Sequence, residues 1–297
     1  MKRLLRTASL LLLLMSLTLV ACHPDEDPTS YVAQKNVNIN PDKAYARRLE
    51  MPHLDNNNRF ITHSTIYKGE ETVTYSLEYD DAKHHSKWVA FQCYDVVNEK
   101  HWYRSNWYNT PWGGDPFQAD PNLPSNVCPD RSWFSGSGGV RGHLCASEDR
   151  VYSQEANEQT FYYSNMSPMH YDFNGGLWLD LEIAVRDSWG HKASFCDTLY
   201  VVKGGTIREG EYNLSNNNKL PIPKHYFMAL LCNKAGTYKA IGFWVEHKPD
   251  ITGSLSSFAV SIDELERLTG IDFFCNLPDK VEEAVESTCY PRVWGLN

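Results

Sequence analysis

The sequence is short of positive charge: 28 lysines and arginines stand against 37 aspartates and glutamates, for a formal net charge of −9. A protein that coats nucleic acid, or grips an acidic membrane by bulk charge, needs the opposite balance, so both classes are disfavoured. An enzyme that acts on nucleic acid remains compatible with this charge, because it needs only a local basic patch and a metal ion.

The chain also lacks CxxC pairs, zinc-finger spacings of cysteine and histidine, and any strict repeat. These absences argue against a structural zinc site, a solenoid, a coiled coil and collagen. Eight cysteines are present, and setting Cys22 aside leaves seven. An odd number predicts that at least one of them has no partner within the chain.

The N-terminus has the pattern of a lipoprotein signal peptide. A cationic start (Lys2, Arg3, Arg6) precedes the apolar run Leu10–Val20, which is too short for a comfortable membrane span. It ends in Leu19-Val20-Ala21-Cys22, which resembles a bacterial lipobox and predicts lipidation of Cys22. The alternative is an ordinary cleaved signal with an incidental cysteine.

These features divide the chain into three parts. We assign residues 1–22 to the lipoprotein signal peptide, 23–58 to a polar tether, and 59–297 to the functional domain. The tether begins with an acidic, proline-broken stretch, which favours a lipid-anchored protein of the cell envelope, on the outer rather than the inner membrane. No later apolar segment is long enough to span a bilayer.

The whole chain is 42% hydrophobic and 13% aromatic. Within the domain, strand patterns outnumber helix patterns. Runs of strand-forming residues occur at Thr72–Tyr79, Trp88–Tyr94, Phe161–Ser164, Asp197–Val202, Tyr226–Leu231 and Ala240–Val245. A capping box at Ser261–Glu264 predicts a helix through Leu268 that ends at Gly270. Strands and helices do not alternate regularly, so we expect one α+β domain with a mainly antiparallel sheet.

A glycine-rich loop, Gly136–Gly139, precedes Arg141 and His143. On an extended segment these two side chains point to the same side, where the guanidinium could hold a phosphate while the imidazole takes a proton from water. An Arg-x-His pair on its own is more often an ordinary surface pair.

A second candidate segment begins at Asn174. On a helix starting there, at about 100° per residue, Leu177, Trp178, Leu181 and Val185 form an apolar arc. Asn174 falls inside that arc, while Glu182 and Arg186 lie along its edge. Polar groups beside a buried face need partners, which a hydrated metal ion would supply. A solvated Glu182–Arg186 salt bridge is the alternative.

Together these segments resemble the DNA/RNA non-specific endonuclease family, which has the ββα-metal nuclease fold. The matching residues are Arg141-Gly142-His143, Asn165-Met166-Ser167-Pro168, and Asn174, Trp178, Leu181-Glu182 and Arg186. Further likeness at Trp88–Phe91, Val201–Gly204 and Thr269–Phe274 extends the resemblance over residues 60 to 285.

The resemblance implies a metal-dependent nuclease that hydrolyses phosphodiester bonds of DNA and RNA, its substrates, with no protein partner. It makes His143 the general base and Asn174 the direct ligand of one Mg²⁺, for which Mn²⁺ could substitute. Glu182 would hold metal-bound waters, Arg141 and Arg186 would stabilise transition-state charge, and Asn165 would orient the site by hydrogen bonds. The implied products carry 5′-phosphate and 3′-hydroxyl ends.

Two positions depart from the family pattern: Val140 replaces the usual Asp before Arg-Gly-His, and Met169 replaces the usual Gln after Asn-x-x-Pro. These departures keep two other functions open. One is a non-catalytic surface lipoprotein that binds nucleic acid or a protein partner, and the other is a phosphodiesterase for small nucleotides.

Overall fold

The period-two segments form strands in the computed structural model, which describes residues 36–297. The strands are β1 Arg59–Tyr67, β2 Glu70–Asp80, β3 His85–Cys93, β4 Val140–His143, β5 Met166–Met169, β6 Thr198–Gly205, β7 Tyr212–Leu214, β8 Pro221–Pro223, β9 His225–Lys234, β10 Thr237–Glu246 and β11 Ala259–Val260. Lipidation of Cys22, the signal peptide and the tether up to residue 35 fall outside the described residues.

Short helices connect and flank these strands. The α-helices are α1 Lys43–Ala46, α2 Arg131–Phe134, α3 Gln154–Gln159, α4 Tyr171–Gly175, α5 Leu177–Ile183, α6 Ile262–Thr269 and α7 Asp279–Glu286, and Ala184–Gly190 is a π-helix. Short 3₁₀ turns occupy Arg104–Asn109, Ser147–Asp149, Tyr163–Asn165, Leu255–Phe258 and Pro291–Trp294. Among the described residues, no helix is long and apolar enough to cross a membrane.

Seven strands make one antiparallel sheet in the order β1-β2-β3-β6-β9-β10-β11. Its central strands are apolar on both sides: in β3, Val89 and Phe91 face one core cluster while Trp88 and Ala90 face the other. A sheet buried on both faces must be covered twice. β4, β5, α4 and α5 lie on the first face, and α6 and α7 on the second. The predicted α+β class with a mainly antiparallel sheet is confirmed.

Two local predictions differ from the structure. The strand expected at Phe161–Ser164 begins later, as β5, because Tyr163–Asn165 form a turn in which the Asn165 amide donates to the Tyr162 carbonyl at 2.9 Å. Residues 36–58, predicted to belong to the tether, pack on the domain. Asn38 is buried there and donates to the carbonyls of Ala46 and Pro52 at 2.9 and 3.0 Å. Its side chain satisfies backbone groups rather than water, so a polar composition does not mark this segment as a linker.

All seven cysteines in the described range are unpaired thiols, and six of them are buried.

Candidate active site

The β4–β5 hairpin carries the Arg-Gly-His motif. His143 pairs with Met166 and Arg141 with Pro168 in an antiparallel ladder, and both motif side chains reach the ring of Phe117. The glycine between them is a packing requirement: a Cβ on Gly142 would lie 2.3 Å from Met169 Sδ and 2.5 Å from its Cγ. One face of β4 therefore carries the two functional side chains, and the other lies directly against Met169.

Asn165 lies behind the hairpin, fully buried. Its Oδ1 accepts from the Cys145 amide at 2.8 Å, and its Nδ2 donates to the carbonyls of Cys145 and Thr160 at 2.9 and 2.7 Å. These bonds fix the chain two residues after His143. In this structure the side chain acts on the backbone that carries His143 and does not line the cleft.

The continuous helix that we predicted from Asn174 is wrong. Asn174 lies in α4, Glu182 in α5 and Arg186 in the π-helix. Gly176 separates the first two with φ −112° and ψ −114°, and a Cβ there would lie 2.5 Å from the Asp172 carbonyl oxygen. The paired glycines thus break the helix where the periodicity of the apolar residues alone predicted none.

A cleft of about 220 Å³ collects the predicted residues His143, Asn174, Glu182 and Arg186. Arg104, from the first 3₁₀ turn, joins them and lies 4.8 Å from the Phe161 ring centre. Arg141 is not part of the cleft wall. Its guanidinium lies 3.7 Å from the Phe117 ring centre and pairs with Asp115 at 3.0 Å.

Two residues that the sequence analysis missed, Asp149 and Lys203, complete the site. Arg186 pairs with Asp149 at 3.2 Å rather than with Glu182. The Lys203 ammonium lies 3.6 Å from Asp149 Oδ2 and 3.7 Å from Glu182 Oε1, and its side chain is fully buried. One sequence feature could have revealed it: Lys203 takes an alternate position of β6 after Leu199 and Val201, both of which face the core beside the site.

The electrostatics of the cleft shift two pKa values in opposite directions. Burial, together with the positive charges of Arg104, Arg141 and Lys203, lowers the pKa of His143 to about 3. Burial raises the pKa of Glu182 to about 7, against the opposing effect of Lys203. His143 is therefore a neutral imidazole at neutral pH, free to accept a proton, while Glu182 changes charge within the physiological range.

The donor set fits a hydrated hard cation. Four polar atoms at the site are buried and have no hydrogen-bond partner among the described residues: His143 Nε2, Asp149 Oδ2, Glu182 Oε1 and Lys203 Nζ. Asn174 and Glu182 offer amide and carboxylate oxygens on the same cleft, which are the ligand types that Mg²⁺ binds together with several waters. Such an ion and its waters would satisfy buried groups that are otherwise costly.

The two departures from the family pattern are neighbours in space. Val140 and Met169 are direct cross-strand partners in the β4–β5 ladder, and Met169 is fully buried. The family's Asp and Gln are thus both replaced by apolar residues at one cross-strand position, so that each apolar side chain still faces a side chain of its own kind. This pair lies at the start of the hairpin, on the Arg141 side of the motif.

Comparison with known proteins identifies the family. Residues 55–280 match the model of the DNA/RNA non-specific endonuclease family. A nuclease of Nostoc sp. is 30% identical over 72% of this chain and 75% of its own length, and the mitochondrial nuclease EXOG of Xenopus laevis is 28% identical over 71% and 59%. The endonuclease G of Caenorhabditis elegans is 30% identical over 53% of this chain and 54% of its own.

A solved structure has the same fold. A chain of the EndoG/EndoGI complex superposes with a TM-score of 0.59 at 22% identity, covering 74% of this chain and 89% of that one. This likeness concerns the fold only. With the family match over most of the described residues, the protein belongs to the DNA/RNA non-specific endonuclease family and is a nuclease, a phosphodiester hydrolase.

Proposed function

We propose that this protein is a metal-dependent endonuclease that cleaves DNA and RNA without sequence specificity. The single observation that carries the proposal is the cleft that brings His143, Asn174, Glu182 and Arg186 together with Arg104. A neutral imidazole, two guanidinium groups and two oxygen ligands in one place are the groups that phosphodiester hydrolysis requires.

In this proposal His143 takes the proton from the attacking water, since its depressed pKa keeps it neutral before the reaction. A bound anionic phosphate offsets the charges of Arg104, Arg141 and Lys203 that depress this pKa, so the imidazole becomes a stronger base once substrate is present. Arg104 and Arg186 hold phosphate oxygens, and contacts limited to the backbone carry no sequence information.

Asn174 is the direct ligand of Mg²⁺ in this proposal, and Glu182 orients the waters of the ion. Mn²⁺ would substitute for Mg²⁺. An ion held there would supply positive charge for the phosphate and for the leaving 3′ oxygen. Attack of water on phosphorus, with cleavage of the bond to the 3′ oxygen, would leave 5′-phosphate and 3′-hydroxyl ends. Two buried residues position two residues of the cleft: Lys203 lies beside Glu182, and Asp149 pairs with Arg186, at the distances given above.

Nicking of supercoiled plasmid by the purified protein tests this function. We expect cleavage in Mg²⁺ and in Mn²⁺ and none in EDTA, with a loss of about 10²- to 10⁴-fold in His143→Ala because the base is removed. Asn174→Ala should lose activity and need more metal for what remains. His53→Ala, which changes an exposed histidine outside the cleft, is the matched control. Equal nicking by His143→Ala and the control would refute the role of His143.

A folded wild type that fails to cut would lead to the other two functions. DNA retarded in a gel without cleavage would indicate a binding protein, and hydrolysis of dinucleotides without plasmid relaxation would indicate a small-nucleotide phosphodiesterase. Since Val140 and Met169 are paired and Met169 is buried, the rescue variant is Val140→Asp together with Met169→Gln. A lone carboxylate at position 140 would face an apolar partner.

We also propose that the chain is lipid-anchored in the cell envelope through Cys22, on the outer membrane. The support is the sequence pattern alone: a cationic start, a short apolar run and the Leu-Val-Ala-Cys end. Labelling with a fatty-acid analogue, followed by membrane fractionation, tests it. Label and membrane association should both disappear in Cys22→Ala, whereas retention of both would disprove the anchor.

A further inference from the structure

Carboxylates gather where α6 and α7 meet, on the face of the sheet opposite the nuclease cleft. Asp263 and Glu266 of α6 and Glu286 of α7 each place a possible ligand oxygen within 4.8 Å of the other two. Three oxygens at such separations, from two different helices, form a concave set of the size that one ion fills. We call these three residues the acidic cluster.

Glu286 gives a second, independent observation. Its residue is 5% exposed, and its Oε1 is buried without a hydrogen-bond partner among the described residues. An unpartnered carboxylate oxygen in a buried position is costly, and native structures satisfy such groups with a donor or a cation. The same carboxylate places an oxygen within 4.8 Å of ligand oxygens of Asp263 and Glu266, neither of which carries a positive charge.

The surroundings add negative charge rather than neutralising it. Burial and the neighbouring carboxylates raise the pKa of Glu286 to about 10 and that of Glu266 to about 7. Among the described residues, the charged groups that act most on Glu286 are all acidic: Glu266, Glu282, Asp272 and Asp263. Arg267, the basic residue of α6, pairs instead with Glu264 at 2.6 Å.

Two carboxylates beside the acidic cluster and one of its members have donors of their own. Asn36 donates to Asp272 at 3.0 Å and to Glu282 at 2.9 Å, and within the acidic cluster the Phe273 amide donates to Glu266 Oε1 at 2.7 Å. These donors do not reach the unpartnered Oε1 of Glu286. Asp263 is exposed, so the centre has access from solvent.

We propose that the acidic cluster binds one Ca²⁺ ion that ties α6 to α7. Its ligands are all carboxylate oxygens, which hard cations prefer, and the irregular set from two helices suits the variable coordination of Ca²⁺ better than the strict octahedron of Mg²⁺. Exposed Asp263 leaves room for the waters that complete the coordination. This site is separate from the nuclease cleft, and the proposal does not rest on the proposed function.

Calorimetric titration of the purified full chain with CaCl₂, after removal of metal by EDTA and desalting, tests the proposal. The Asn174→Ala background keeps the nuclease cleft from contributing. We expect one saturable site, with weaker binding of MgCl₂ and a rise in Tm with Ca²⁺. Glu286→Gln should raise the Kd at least tenfold, whereas Glu283→Gln, an exposed residue of the same helix, should leave it unchanged.

Equal Kd values for Glu286→Gln and Glu283→Gln would overturn the proposal. So would the absence of saturation at about 10 mM Ca²⁺, since the weakest protein sites have Kd values near 10⁻³ M, or about one tenth of that concentration. Asp263→Asn, at an exposed position, gives the same test should Glu286→Gln fail to fold.

Discussion

At the residue scale, the site depends on a lysine that has no contact with water. Lys203 lies between Asp149 and Glu182 and also within 6.0 Å of the Trp178 ring centre and 5.4 Å of the Phe91 ring centre. Removing one member of such a buried group leaves the opposite charges uncompensated in a medium of low polarity. Lys203 thus offsets part of the cost of burying Asp149 and Glu182 beside the cleft.

We therefore expect Lys203→Met to lower the free energy of unfolding by about 3 kcal/mol, because Asp149 and Glu182 lose their shared cation. Urea unfolding followed by tryptophan fluorescence measures this. Lys234→Met is the matched control, since Lys234 pairs with Asp197 on the exposed end of β9 and should cost less than about 1 kcal/mol. Equal losses in the two variants would show that Lys203 is not the shared partner.

At the element scale, the hairpin of β4 and β5 positions the catalytic candidates through its packing. Gly142 lies against Met169, Asn165 fixes the chain after His143, and the Trp178 indole donates to the His143 carbonyl at 3.3 Å. The conformation of His143 is therefore set by contacts on the far side of its strand. A substitution at one of these contacts would therefore shift His143 although the substituted residue does not line the cleft.

Gly142→Ala should lower both Tm and plasmid nicking, because its methyl group would overlap the buried Met169 side chain at a typical overpacking cost of about 1–3 kcal/mol. A double-mutant cycle with Met169→Ala isolates the cause. The penalty of the alanine at position 142 should shrink in the Met169→Ala background, where the space is open. A penalty that is the same in both backgrounds would point to backbone conformation instead.

At the scale of the whole molecule, buried neutral histidines join the layers on the cleft side of the sheet. His85 of β3 donates from Nδ1 to the Ser86 carbonyl and accepts at Nε2 from the Ser167 hydroxyl of β5. His247 accepts the His170 amide at Nε2 and donates from Nδ1 to the Pro223 carbonyl. Each ring uses one nitrogen as acceptor, so protonation breaks a bond between elements.

Acid should therefore remove the stability that these two histidines contribute. Burial lowers the folded-state pKa of both His85 and His247 to about 4, from 6.5. Between these pH values the unfolded forms of these two histidines bind more protons, so the stability they contribute is complete above about pH 6.5 and is lost as the pH drops toward 4. Carboxyls with raised pKa values, such as Glu182 and Glu266, act in the opposite sense, so the histidine contribution is the difference in Tm between the wild type and a variant that lacks both rings. The double variant His85→Gln, His247→Gln should show a flatter profile, and an unchanged slope would contradict this assignment.

The sequence by itself determined the family, the α+β class and the residues of the Arg-Gly-His motif. Period-two apolar runs fix strands locally, and the spacing of Asn174, Glu182 and Arg186 survives a break in the helix. The N-cap half of the predicted capping box likewise holds: the Ser261 hydroxyl accepts from the Glu264 amide at 3.1 Å, while the Glu264 carboxylate pairs with Arg267. These features depend on short-range order, which a sequence displays directly.

Only the tertiary structure decided which polar residues meet. Asp149 and Lys203 are far apart in the chain, yet their charges pair at 3.6 Å because a turn and a central strand converge on the cleft. It also separated Arg141 from the cleft wall and made Val140 and Met169 direct partners. Such contacts depend on strand register and on the packing of layers. The free energy of burying a charge depends on whether a partner of opposite charge lies beside it, and that partner comes from a distant part of the chain.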